Sequence, residues 1–160
     1  RLPQDLICTM SSTADTLDAA ALAARKAELK AKSEALFAQV TFNQVIGLQR
    51  EFAEDGVSRL VLPINPQLFN NFGVVHGGVL MSMLDSTMTA AALSRFDFSR
   101  LVVTVDLQTQ FVKSGRGVLT GHGKVVGGGK SLALCEGRLE DEQGDLVAKA
   151  SAVFKYVADA

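Results

Sequence analysis

The chain has 160 residues, of which 48 % are apolar, so it is long enough to build one compact domain around a sizeable core. Its 16 Lys and Arg against 17 Asp and Glu give a net charge of -1, and no run of like charge stands out. This balance argues against nucleic acid and anionic membranes as electrostatic partners.

The first predicted element is a helix near the N-terminus. Residues 1–11 show no periodicity, and Ser12 and Asp15 then stand in the spacing of a capping box. The segment that follows is rich in Ala, Leu, Lys and Glu. The pattern therefore predicts a helix from this box to about Val40.

This helix has a leucine spacing that could form the contact stripe of a coiled coil. Leu22, Leu29 and Leu36 recur every seven residues, as in a coiled coil. Because Lys26 and Ser33 occupy the intervening positions of the stripe, we favour a surface helix packed on its own domain or on a neighbouring subunit.

Two strands are predicted next, within residues 45–64, on either side of a turn at residues 54–56. Pro63 and Pro66 then break the regular structure. A loop leads from there to Val75 and into a second helix, which is predicted from Gly78 to about Leu93. That helix is apolar on nearly all sides, which is typical of a helix in the middle of a domain.

The remaining chain alternates with the period of strands. In the first of these strands one set of residues is apolar and is expected to be buried, namely Leu101, Val103, Val105, Leu107 and Phe111. The polar residues between them, Thr104, Asp106, Gln108 and Gln110, are expected on the opposite face.

Three further strands are predicted at residues 118–126, 131–139 and 146–157. The glycine-containing turns between them indicate antiparallel hairpins. Gly127-Gly128-Gly129-Lys130 lacks the spacing of a phosphate-binding loop and precedes a strand, so it is read as a hairpin turn. An antiparallel sheet wrapped around the second helix, an α+β arrangement, is the economical way to bury that helix.

The cysteines and the hydropathy of the chain indicate the cellular compartment in which it is expected. Cys8 and Cys135 are far apart, so neither a disulfide framework nor a metal site is expected, which fits a reducing compartment such as the cytoplasm. The N-terminus lacks a basic segment followed by an apolar run, and the longest mainly apolar stretch, residues 79–93, is interrupted by polar residues. We therefore expect neither a signal peptide nor a membrane span.

The segment from Asn70 to Gly78, NNFGVVHGG, is the first candidate for chemistry. Glycines at a helix start leave the amides there open to a ligand, and those amides, with the helix dipole, stabilise an oxyanion. The side chain of Asn70 could add another donor. His76 could contact a substrate or brace the loop, and the tripeptide His76-Gly77-Gly78 could also be only a sharp turn.

Asp85 is the only ionisable residue in the second helix. An ionised carboxylate among apolar residues is costly unless paired, and burial raises its pKa towards the range of a general base. A purely structural polar network is the alternative. Gly78, Ser82, Asp85 and Thr89 fall on one helical stripe, which favours a site.

The spacing on this helix has a geometric consequence. At 1.5 Å of rise per residue, Gly78 and Asp85 lie roughly 10 Å apart along the axis. One helix therefore cannot readily present both its first amides and this carboxylate to a single carbonyl, and two copies of the chain are the favoured solution. Thr104, on the next strand, could orient a water or the carboxylate, although an exposed Thr is commonly structural.

Asn70, His76-Gly77-Gly78, Asp85 and the run Thr104-Val105-Asp106-Leu107 form a pattern that resembles the hotdog-fold acyl-CoA thioesterases of the phenylacetate-pathway and human thioesterase-superfamily-member-2 type. The resemblance covers residues 42–157, which it implies form the hotdog domain, and leaves residues 1–41 as an N-terminal extension and helix. It implies an antiparallel sheet around a central helix, sheets joined edge to edge in a homodimer, and often a dimer of dimers.

The resemblance also implies roles. Asn70 and the amide of Gly77 would polarise a thioester carbonyl, and Asp85 of the partner would activate water or attack directly. Thr104 would help hold the water and His76 would support the loop. An acyl-CoA would be the substrate, with no cofactor or metal.

The sequence also suggests which residues contact the substrate, and it leaves two other functions open. Gly78, Ser82, Phe72 and Met81 are predicted substrate contacts, and together with Leu80, Met83 and Leu84 the apolar ones suggest medium acyl chains or aryl groups. Two alternatives stay open: an acyl-thioester hydratase or dehydratase with His76 as its histidine, and a protein that binds acyl-CoA without turnover.

Overall fold

The computed structural model describes residues 4–157, and within the first helix it describes side chains only from residue 19 onward. In this range no helix is both long enough and apolar enough to cross a bilayer. The elements in chain order are α1 (Gln4–Gln39), α2 (Thr41–Ile46), β1 (Gln49–Glu54), β2 (Val57–Pro63), a 3-10 turn (Pro66–Leu68), α3 (Gly77–Ser94), β3 (Leu101–Phe111), β4 (Val118–Gly128), β5 (Leu132–Glu140) and β6 (Leu146–Val157).

The strands form one antiparallel sheet in the order β1-β2-β4-β5-β6-β3. α3 packs on one face of this sheet and contacts all six strands. The predicted α+β hotdog arrangement, with an extra N-terminal helix, is therefore confirmed. The predicted hairpins β4–β5 and β5–β6 are also confirmed, and β3 lies at the sheet edge because it pairs with β6 rather than with β4.

Strand glycines allow α3 to lie close to the sheet. A Cβ at Gly121 would stand 2.7 Å from the Thr87 hydroxyl, and one at Gly123 would stand 2.8 Å from the carbonyl oxygen of the same Thr87. That carbonyl already accepts a hydrogen bond of 2.6 Å from Ser58 Oγ. The backbone of α3 is thus pinned to β2 and β4 about two residues beyond Asp85.

We expect Gly123→Ala to destabilise the fold by about 1–3 kcal/mol, because the new methyl group cannot fit without moving helix backbone. The matched control is Gly129→Ala, where a Cβ meets no atom within 4 Å and the change should stay within about 0.5 kcal/mol. Urea unfolding of both variants measures the difference. Equal stabilities for the two would contradict the close approach of α3.

The predicted faces of β3 are wrong in part. The pairing with β6 slips by one residue between Thr104 and Asp106, so Val105 forms a β-bulge and every later side chain changes face. Thr104, predicted on the polar face, pairs with the fully buried Phe154 and lies on the side of α3. Val103 is 48 % exposed rather than buried.

Two boundaries near the N-terminus also differ from the prediction. α1 begins at Gln4 rather than at the capping box of Ser12, because no Gly or Pro interrupts residues 4–12. The short helix α2 was not predicted, and it displaces the start of β1 to Gln49. Gly47 ends α2 in the left-handed conformation, with φ of 77°, where glycine is favoured.

The second half of α1 packs on its own domain. Arg50 donates to the carbonyl oxygen of Ser33 and lies over the rings of Phe37 and Phe98, at 4.5 and 5.9 Å. Burial lowers the pKa of the Arg50 guanidinium to about 10. Leu22 is 57 % exposed, so the heptad positions do not form a buried seam within this chain.

Candidate active site

The loop before α3 folds back on itself and brings Asn70 near the helix start. The N–H of Asn70 donates to the Val74 carbonyl oxygen at 2.8 Å, and the N–H of His76 donates to that of Leu68 at 2.8 Å. The Asn70 Oδ1 atom accepts from the N–H groups of Phe72 and Val74. Because Oδ1 is used inside the loop, Nδ2 is the Asn70 group left to serve as a donor.

His76 caps α3. Its Nδ1 atom accepts from the Gly78 N–H at 2.9 Å, and its carbonyl oxygen accepts from the N–H groups of Val79 and Leu80. The Gly78 amide is therefore occupied, contrary to the prediction of several free amides. Within the described residues no hydrogen bond uses the Gly77 N–H. Gly77 is therefore the residue at this helix end whose amide is left to donate to a substrate.

Phe111 closes one side of this helix end. A Cβ on Gly77 would meet the Phe111 ring at 3.5 Å, an ordinary contact distance. The bulge at Val105 places Phe111 on the helix side of β3. Sequence reasoning gave Phe111 no role at the site, because without the bulge nothing in the spacing links it to Gly77.

Asp85 lies half-buried in the middle of α3, and the Thr104 hydroxyl donates to its Oδ1 atom at 2.8 Å. Burial raises the pKa of the Asp85 carboxyl above its ordinary value, and the hydrogen bond from Thr104 partly offsets that rise. The predicted neighbourhood of Asp85 and Thr104 is therefore present.

The other predicted residues are spread along the loop and the exposed side of α3. Ser82 is half-buried and donates to the Gly78 carbonyl oxygen at 2.8 Å. Met81 is 42 % exposed and Phe72 is 81 % exposed, so both offer apolar surface to a ligand or a partner. Gly77 and Asp85 are eight residues apart on one straight helix, about 12 Å along its axis. A single chain therefore does not bring them to one point.

Sequence reasoning missed a polar contact beside Asp85. The Ser86 hydroxyl donates to Oδ1 of Asn43 at 3.0 Å, and Asn43 is only 3 % exposed. This bond fastens α2 to α3 one residue from the carboxylate. The only signal in the sequence was a polar Asn in a segment otherwise read as the approach to a strand.

We expect Thr104→Val to raise the pKa of Asp85 further, because it removes the hydrogen bond that favours the ionised form while keeping the side-chain shape. The matched control is Thr109→Val in the same strand, since the Thr109 hydroxyl has no hydrogen-bond partner among the described residues. An NMR titration of the Asp85 carboxyl measures both. A titration midpoint that is unchanged, or lowered, in Thr104→Val contradicts this assignment.

Comparisons with known proteins show what this chain is similar to. Residues 72–148 match the sequence profile described as the thioesterase superfamily. A Saccharolobus solfataricus protein named "Putative esterase SSO1253" is 33 % identical over 119 residues, which cover 74 % of this chain and 78 % of the relative. The Escherichia coli medium/long-chain acyl-CoA thioesterase YigI is 27 % identical over 142 residues, which cover 79 % of this chain and 92 % of YigI.

A solved structure gives the same arrangement of strands and helix. The Escherichia coli PaaI protein from the phenylacetic acid degradation operon superposes with a TM-score of 0.77 at 18 % identity. The superposition covers 83 % of this chain and 96 % of PaaI. At that identity the likeness concerns the fold alone.

Proposed function

Because this chain belongs to the thioesterase superfamily, a family of hydrolases, we propose that it hydrolyses acyl-CoA thioesters to a carboxylic acid and coenzyme A. The observation that carries the proposal is the half-buried carboxylate of Asp85, which accepts a hydrogen bond from Thr104 on β3. The relative YigI is named for acyl-CoA substrates and supports the choice of thioester.

The proposed site is shared between two subunits. The Gly77 N–H and the Asn70 side chain of one subunit polarise the thioester carbonyl, and Asp85 of the other delivers water or attacks the carbonyl carbon. The spacing of about 12 Å along α3 supports this division. Thr104 fixes the carboxylate, and His76 accepts from the Gly78 N–H, which leaves the neighbouring Gly77 N–H for the substrate.

The sheet edge offers the surface for such a pairing. β3 has no neighbour on its outer side within the described chain, and its apolar Leu101, Val103 and Val105 are 38, 48 and 60 % exposed. Edge strands of this length are normally covered. Pairing of β3 with its copy forms the proposed homodimer, and two such dimers form the proposed tetramer.

Release of free thiol from a panel of acyl-CoA esters tests the reaction and its substrate range together. We expect turnover to be highest for medium to long acyl chains, since Met81 and Phe72 supply apolar surface and YigI is named for such chains. Ligand binding without thiol release for any ester would instead identify a binding protein. Hydration of an enoyl-CoA without thiol release would identify a hydratase.

A mixed-subunit experiment tests the shared site. Asp85→Asn and Gly77→Pro subunits, each carrying a different tag, are co-expressed and the mixed dimers are counted. Random pairing makes half of the dimers mixed, each with one intact site, so the mixture should recover about a quarter of wild-type turnover. A mixture no more active than its two inactive parents would show that each site lies within one subunit.

A further inference from the structure

The outer face of the sheet, turned away from α3, carries basic side chains that the proposed reaction does not use. Directly paired residues share a face, and one line of pairs crosses all six strands. The members of this line are Phe52, Arg59, His122, Arg138, Lys149 and Gln110. We call Arg59, His122, Arg138 and Lys149 the basic row.

Carboxylates neutralise the basic row only in part. Arg138 and Lys149 are directly opposite each other, and like charges in that position are destabilising. Three members have a carboxylate neighbour. Arg59 lies 3.0 Å from Glu51, and Glu140 lies 3.3 Å from His122 and 3.1 Å from Arg138. Within the described chain, neither Lys149 nor Lys124 of the adjacent line has a carboxylate oxygen within 4 Å.

Lys124, Arg138 and Lys149 border a groove of about 660 Å³, a volume typical of small-molecule sites. Its charged lining residues are Lys124, Arg138, Lys149 and Glu136, so three cations face a single carboxylate. The concentration of positive charge contrasts with the net charge of -1 of the whole chain. An anion is therefore the ligand that this groove fits best.

The two ends of the groove differ in character. At the β1–β2 end lie Phe52 and Val57, which are 41 and 36 % exposed and offer a flat apolar surface. At the β3 end lie the side-chain amides of Gln108 and Gln110. Strands are about 4.8 Å apart, so the basic row extends about 14 Å, longer than one phosphate group requires.

We propose that this groove binds a nucleoside diphosphate or triphosphate, with the base on Phe52 and Val57 and the phosphates along Lys124, Arg138 and Lys149. Stacking on an aromatic ring and charge-assisted hydrogen bonds are the two interactions that such a ligand combines. The sheet separates the groove from Asp85, so the site goes beyond the proposed hydrolysis and holds a second ligand.

Calorimetric titration with ADP, pyrophosphate and adenosine tests the proposal on the full chain. We expect ADP to bind more tightly than either fragment. Arg138→Gln and Lys149→Gln should each weaken ADP about tenfold, the loss of one charge-assisted hydrogen bond. Phe52→Ala should weaken ADP while leaving pyrophosphate unchanged, because pyrophosphate has no base to stack.

The matched control is Lys155→Gln, because Lys155 lies on the same face of β6 outside the groove and pairs with Val103 and Leu132. ADP affinity should be unchanged in this variant. Equal weakening in Lys155→Gln, or no ADP binding at millimolar concentration, would overturn the site.

Inhibition kinetics decide whether the ligand is separate from the substrate. Competition of ADP with acyl-CoA, together with a raised KM in Arg138→Gln, would assign the groove to the substrate and overturn a second ligand. The titrations need no turnover, so their result does not depend on whether the chain hydrolyses thioesters.

Discussion

Asp85→Asn should lower thioester turnover by about 10³-fold while leaving the protein folded. The asparagine amide oxygen can still accept the hydrogen bond that Thr104 now donates to Asp85 Oδ1 at 2.8 Å, so the local packing is kept. What is lost is the capacity to take a proton from water or to attack the carbonyl. Thiol release at saturating acyl-CoA measures the loss.

Asp106→Asn is the matched control for this prediction. Asp106 follows the bulge on the same strand as Thr104, is exposed, and is turned away from α3. Its replacement should leave turnover close to wild type. An Asp85→Asn enzyme within tenfold of wild type, or an equal loss in Asp106→Asn, would remove Asp85 from the mechanism.

Asp85→Asn should also change the stability of the fold, and the direction of that change follows from the pKa of Asp85. Burial raises the pKa of Asp85 in the folded state, so the fold favours the protonated carboxyl. The stability that the protonated Asp85 carboxyl contributes is fully present below the pKa that it has in the unfolded chain. That stability is lost as pH rises through the higher pKa of the folded state. Asp85→Asn should therefore melt at or above the wild-type temperature at pH 7, and the difference should shrink in acid. A lower melting temperature at pH 7 would contradict the sign.

Gly77→Pro should lower turnover by about 10²- to 10³-fold, the effect expected when one oxyanion donor is deleted. Proline at the first helical position removes only an N–H that the helix does not use, and it is favoured there. The preceding His76 has φ of -65° and ψ of 136°, an extended conformation that a following proline accepts. The helix should therefore form as before, and kcat should report the missing amide.

Gly77→Ala separates loss of the amide from added bulk. Its new methyl group would lie 3.5 Å from the Phe111 ring, an ordinary contact, and the N–H remains. Turnover should stay near that of wild type. If the alanine variant loses as much activity as the proline variant, space at the helix end rather than hydrogen bonding limits the reaction.

Strongly periodic segments were predictable from the sequence. The central helix, with Asp85 as its lone ionisable residue, follows from composition, and the structure has it over Gly77–Ser94. The last three strands and their turns follow from alternation and glycine placement. The sequence analysis allowed Thr104 to orient a water or the carboxylate, and in the structure its hydroxyl donates to Asp85 Oδ1.

The remaining differences between the prediction and the structure have physical causes that are not visible in the local periodicity of the sequence. One inserted residue at Val105 reverses the faces of half of β3, and a bulge of this kind is decided by pairing with β6. The helix α2 is only six residues long, and its anchor Asn43 is stabilised by a distant hydroxyl on Ser86. Tertiary contacts, rather than propensity, fix both features.

The unpaired edge at β3 also bears on how the protein is made. Along its eleven residues the only charge is Asp106, and neither lysine nor proline interrupts it. Natural sheets use such residues to stop uncontrolled strand addition. A newly synthesised chain therefore exposes a template for aggregation. If β3 pairs with its copy as proposed, we expect the yield of native protein to depend on how soon two copies meet.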